Sequence, residues 1–208
     1  MKLTAAGRTD AGVHALAQVA SYEGEPARVA ALNALLPSDA AVLACEAAPP
    51  GFDARRDATS RAYVYRVLTR PGRSALEPSR LLHVPQPLDE ARLHACAELL
   101  GGSHDFTAFT PTDTYHVHFQ RDVYAAFWRR SEDLLEFWIE ADTFMRHMNR
   151  VLVGTMLEVA RGHGTVADFE CLLAGRPRCE AGRTAPAHGL YLAGVGYGGH
   201  RVLGREAP

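Results

Sequence analysis

Asp10 is the one acidic residue in the stretch Gly7-Arg8-Thr9-Asp10-Ala11-Gly12-Val13-His14-Ala15. Glycine adopts backbone conformations that other residues resist, so two glycines around one acid let a loop present a carboxylate at a fixed angle. An aspartate is ionised at neutral pH and can attack an electrophile or accept a proton without a separate activator. The competing reading of such an Asp is a turn former whose side chain bonds its own backbone.

The basic residues form a second chemical signal. Lys2 is the single lysine, and the other 21 basic residues are arginines. Between Arg55 and Arg80 there are seven arginines against two acids, Asp57 and Glu77. The planar guanidinium makes paired hydrogen bonds to phosphate, so Arg55, Arg56 and Arg61 are candidate phosphate contacts. The alternative is a solvated charged face, and the net charge of -2 does not by itself mark a nucleic-acid binder. His14 reads as structural. His116 and His118 alternate along a possible strand, but no third ligand accompanies them and no metal site is expected. Cys45, Cys96, Cys171 and Cys179 form no C-x-x-C pair, so they read as reduced, partly buried thiols.

These groups must be held by elements that the pattern of the chain predicts. Strands are expected at Ala17 to Tyr22, Ala41 to Ala47, Thr59 to Thr69, Arg121 to Arg130, Leu134 to Ala141 and Leu190 to Tyr197. In the third of these, Tyr63, Tyr65 and Val67 point one way and Val64, Arg66 and Leu68 the other. Ser131-Glu132-Asp133 reads as the turn of an antiparallel hairpin. Helices are expected from Pro26 to Leu36, from Leu88 to Leu100, from Phe144 to Ala160 and near Val166 to Leu173. On the third helix Arg146 and Arg150, four residues apart, would share a face. Pro49-Pro50-Gly51 is a plausible hinge between residues 1–50 and 51–208. Mixed strands and helices without regular alternation indicate an α+β fold. The chain's 208 residues are 47% hydrophobic, with no apolar run long enough for a bilayer span and no signal peptide, which makes the cytoplasm the expected compartment.

The nine-residue loop resembles the signature of TruA-type tRNA pseudouridine synthases. So do Asn33-Ala34-Leu35-Leu36-Pro37, Phe52-Asp53-Ala54-Arg55, Ala58 to Arg66, Gly102 to Phe109, Phe144 to Arg150, Thr184-Ala185-Pro186 and Gly189 to Leu192, in the family's order. The resemblance implies the pseudouridine synthase fold, a central antiparallel sheet shared by two subdomains with flanking helices and an arginine-lined cleft. It implies isomerisation of uridine to pseudouridine in the anticodon stem-loop of tRNA, by a homodimer. Asp10 matches the catalytic residue, Arg150 its ion-pair partner and Tyr63 the aromatic that stacks on the target base. Taken alone, Arg150 could be a helix-surface arginine and Tyr63 a core aromatic. Arg8 would contact RNA or brace the loop, Arg61 would meet phosphate beside Tyr63, and Arg146 would meet phosphate too. The reaction oxidises nothing and exchanges no group with a second substrate, so no cofactor or metal is expected. Family members carry a further strand and helix ahead of the loop. A chain without them is expected to leave a sheet edge unpaired and apolar surface uncovered, and a non-catalytic RNA-binding remnant is the alternative reading.

Overall fold

The computed structural model describes residues 2–114 and 116–204. Its sheet is built around β4 (Ala58–Leu68), whose aromatic and β-branched residues suit a central strand covered on both faces. For clarity the other strands are β1 (Thr4–Ala5), β2 (His14–Ala15), β3 (Ala20–Ser21), β5 (Leu82–His83), β6 (Gly102–Asp105), β7 (Gln120–Ser131), β8 (Leu134–Ala141) and β9 (Leu190–Tyr197). β4 pairs antiparallel with β8 on one side and β9 on the other. β7 and β8 form the expected hairpin, turned through Glu132 at φ 53°, and β6 completes that edge. The order is β2-β9-β4-β8-β7-β6, with β5 also on β4. The long strands are all antiparallel; only the two-residue strands β2 and β5 join in parallel. β1 and β3 form a separate two-stranded sheet.

The helices are α1 (Val29–Asn33), α2 (Glu90–Glu98), α3 (Met148–Ala160) and α4 (Val166–Leu172). Asp89 caps α2 by accepting from the Arg92 amide, and Thr165 with Asp168 forms a reciprocal capping box on α4. α2, α3 and α4 pack on one another, with α2 also against β7. Strand alternation sends Tyr63, Tyr65 and Val67 of β4 and Leu135, Phe137 and Ile139 of β8 into one apolar core with Met148, Leu152 and Met156 of α3. Among the described residues no helix is long and apolar enough to cross a membrane.

Four expectations change in the first fifty residues and at α3. The first helix is only five residues long and buries none of them; Leu35, just beyond it, is 87% exposed. No strand forms at Ala41 to Ala47, because no neighbouring strand offers it a ladder. Instead the Asn33 carboxamide donates to the Val42 carbonyl and accepts from its amide, at 2.9 and 2.7 Å. The strand expected at Ala17 to Tyr22 contracts to β3. α3 starts at Met148 rather than Phe144, because His147 takes the left-handed conformation (φ 62°), which no continuing right-handed helix contains. Arg146 therefore lies before the helix and does not share a helical face with Arg150.

α3 carries the strap 183–186 against its side at Gly154. A Cβ there would lie 1.7 Å from the Arg183 carbonyl oxygen. Gly154→Ala is therefore expected to destabilise the protein by about 3 kcal/mol or more, read from urea denaturation. The same displacement would pull Ala185 from Arg150, so turnover should fall in the fraction that stays folded.

Candidate active site

The loop carrying Asp10 is fixed at both ends. The Gln18 side chain donates to the Gly7 carbonyl (2.8 Å) and accepts from the Gly7 amide (3.3 Å). Downstream, β2 lies on β9 and the Leu16 amide donates to the Leu192 carbonyl at 2.8 Å. Between these anchors the Val13 amide closes a turn onto the Asp10 carbonyl (2.9 Å), and Gly12 sits at φ 84°, which favours glycine. The Asp10 side chain is thus held out from a pinned loop. It takes no part in the turn; its backbone does that work.

Arg150, in the first turn of α3, meets it. Its Nη1 donates to Asp10 Oδ2 at 3.2 Å, and its Nε donates to the Ala185 carbonyl at 2.8 Å. The Arg150 carbonyl also accepts from the Ala185 amide (3.0 Å), so strap and arginine hold each other. The sequence pattern had not singled out His147, yet its Nε2 lies 3.2 Å from the same Asp10 Oδ2. Asp10 Oδ1 has no hydrogen bond among the described residues.

Asp10, His147, Arg150 and Tyr63 line one cleft of about 460 Å³. Tyr63 is 8% exposed, and its ring meets Phe144 edge-on with centroids 5.0 Å apart. Burial pushes its hydroxyl pKa up to about 12, helped by the Asp10 charge and opposed by Arg61, so it stays protonated. A second cleft of about 790 Å³ adjoins the first and shares Arg8, Arg55, Arg61 and Thr143 with it. Lys2 and Arg56 line this second cleft as well, so the expected arginine-lined groove runs past the carboxylate.

The arginines differ in how they are held. Arg8 and Arg55 are exposed on the cleft wall. Arg61 is largely buried, and its guanidinium donates to the carbonyls of Ala6, Ala58, Asp142 and Arg55, at 2.6 to 3.3 Å. Expected at phosphate, it here braces the base of the Asp10 loop through Ala6. Burial lowers its pKa from the usual arginine value. Arg146 lines the cleft and forms an ion pair with Asp113 from the loop before β7. His14 stacks on Tyr191 with centroids 4.7 Å apart and bonds the Ser79 carbonyl, which is a structural role. Among the described residues no three His, Cys, Asp or Glu side chains cluster as metal ligands. Asn149 also borders the cleft, and its buried Oδ1 has no partner among the described residues.

Comparison with known proteins identifies relatives of the chain. A family model for tRNA pseudouridine synthase matches residues 95–198. The chain is 40% identical over 204 residues to tRNA pseudouridine synthase A of Caulobacter vibrioides, covering 95% of this chain and 83% of that protein. It is 37% identical to the enzyme of the same name from Bacillus pumilus, covering 94% of this chain and 81% of the relative. For the Methylococcus capsulatus protein of that name the figures are 38%, 100% and 78%. Identity of this level across nearly the whole chain, on an α+β sheet fold with a carboxylate–guanidinium pair in a basic cleft, shows that the chain belongs to the tRNA pseudouridine synthase family.

Proposed function

We propose that this chain isomerises uridine to pseudouridine in the anticodon stem-loop of tRNA, with Asp10 as the reacting group. The observation that carries the reading is the grip of Arg150 on Asp10 beside a buried aromatic ring in an arginine-lined cleft. In the reaction the N1–C1′ bond breaks, the uracil turns over, and C5 bonds to C1′. The C5 hydrogen leaves as a proton and N1 takes one up, so composition is unchanged. Asp10 supplies the electron pair that initiates glycosidic cleavage. Arg150 pairs with that carboxylate and aims it. A uridine must leave its stack to reach Asp10, and the Tyr63 ring offers it a flat partner.

The arginines on the groove supply sequence-independent affinity for the phosphate backbone, which falls with salt. Arg8, Arg55 and Arg146 are the contacts we assign to RNA, Arg146 by exchanging Asp113 for a phosphate. Arg61 contributes by holding the loop. Residues 1–50 then supply the carboxylate, and residues 51–208 supply the aromatic and the guanidinium. We further propose a cytoplasmic homodimer in which one tRNA touches both subunits, testable by light scattering on the free protein and its tRNA complex.

The test is release of tritium from a tRNA transcript made with [5-³H]uridine, with the modified positions mapped by primer extension after carbodiimide treatment. Release from anticodon stem-loop uridines is the expected result. Tight binding without release would instead favour a non-catalytic RNA-binding protein. Tyr63 gives a more specific test. Base–aromatic stacking is worth about 1–3 kcal/mol, so Tyr63→Leu should lower kcat/KM by about 10- to 100-fold. Tyr63→Phe keeps the ring and should stay within about threefold, with melting temperatures of both variants separating stacking from core loss.

A further inference from the structure

We propose that His147 is a positioning residue for the Asp10 carboxylate: its imidazole packs against the oxygen that Arg150 already holds, which turns the other oxygen toward the substrate. The inference rests on Asp10 being the reacting group.

Three observations carry it. First, His147 and Arg150 both lie 3.2 Å from Oδ2, while Oδ1 has no hydrogen bond among the described residues. One donor fixes where a carboxylate sits. A second group packed against the same oxygen also limits its rotation. Second, His147 occupies the N-cap position of α3, where Ser, Thr, Asp or Asn normally satisfies a free helix amide. Its side chain makes no such bond and points to Asp10 instead. Third, it is held at φ 62°, ψ -2°, a left-handed conformation that a non-glycine residue adopts at a cost. A residue that neglects its capping position and carries backbone strain is better explained by the contact it does make.

The surroundings keep this imidazole neutral near physiological pH. Burial lowers its pKa from the ordinary histidine value. Asp10 opposes that shift, Arg150 and Arg146 reinforce it, and Asp113 across the Arg146 ion pair opposes it. Arg8, Arg55 and Arg61 add positive charge to the same cleft, and His116 also faces it. A neutral imidazole confines the carboxylate while adding no charge to the site. A protonated one would place a second full positive charge on Oδ2 beside Arg150, making the carboxylate a poorer nucleophile and base. Turnover should therefore decline as pH falls through the lowered pKa of His147, and be complete above it.

Two variants separate side chain from backbone. His147→Gly accepts the left-handed conformation with no side chain, and His147→Asn accepts it with a shorter polar side chain. On the full chain, tritium release should show kcat for H147G reduced by about 10- to 100-fold, with KM for tRNA within about threefold. H147N should recover part of that loss, and the acid limb of the wild-type kcat profile should be missing from H147G. The proposal is overturned by a kcat for H147G within about twofold of wild type with the pH profile unchanged, or by a loss confined to KM. It is also overturned by equal losses in both variants accompanied by a drop in melting temperature, which marks a role in starting the helix. Asp10→Asn run alongside separates the two levels: if that variant turns over, the assignment of Asp10 fails rather than that of His147.

Discussion

Asp10→Asn should eliminate pseudouridine formation while tRNA affinity stays within about threefold of wild type. The substitution keeps the size and shape of the side chain, and its amide oxygen can still accept from Arg150. Only the negative charge and the reactive lone pair are removed. Losing the initiating group of a covalent or proton-transfer mechanism typically costs at least about 10³-fold in kcat, or about 4 kcal/mol of barrier. Affinity should survive because it comes from the groove arginines, and Asp10, as an anion, repels phosphate. Tritium release measures the first quantity and filter binding the second. Turnover by the variant at the wild-type rate would remove Asp10 from the chemistry.

Arg150→Met should lower kcat by about 10²- to 10³-fold. Methionine fills much of the arginine's volume but donates nothing, so Asp10 loses its charged partner and Ala185 loses the bond to Nε. The backbone bond from the Ala185 amide to the Arg150 carbonyl remains, so the strap should stay seated and the melting temperature should change little. Arg150→Lys should recover little of the activity. One ammonium on a flexible stem cannot reproduce the two directed contacts that the planar fork makes to a carbonyl and a carboxylate. Recovery of most of the activity by the lysine variant would show that only charge matters at this position.

The parts of the fold written in local patterns were legible. β9 has the boundaries that its apolar run predicts, and the β7–β8 hairpin and the alternation of β4 follow from period-two spacing. Where the pattern misled, the reason is not local. Ala41 to Ala47 has strand-like composition, but a strand exists only through a neighbour, and none lies beside it. The apolar spacing of Phe144 to Ala160 reads as one helix because periodicity does not register a single left-handed residue. That residue is His147, so the feature that shortened the helix also hid a contact to Asp10. Arg61 and Tyr63 lie on one strand face as alternation requires, yet strand spacing could not tell that Arg61 would turn to the Ala6 carbonyl. The pairing of Asp10 with Arg150 spans 140 positions and was reached through family resemblance, since no periodicity relates residues that far apart.

The parallel seating of β2 on β9 has a consequence for biosynthesis. The Asp10 loop finds its support on a strand made long after it, with His14 opposite Tyr191 and Ala15 opposite Leu192. Contacts between distant parts of a chain form late, after the loop between them has closed. Until β9 is in place, the downstream anchor of the loop is missing. Aiming of the carboxylate is therefore expected only once residues 190–197 have been made and seated.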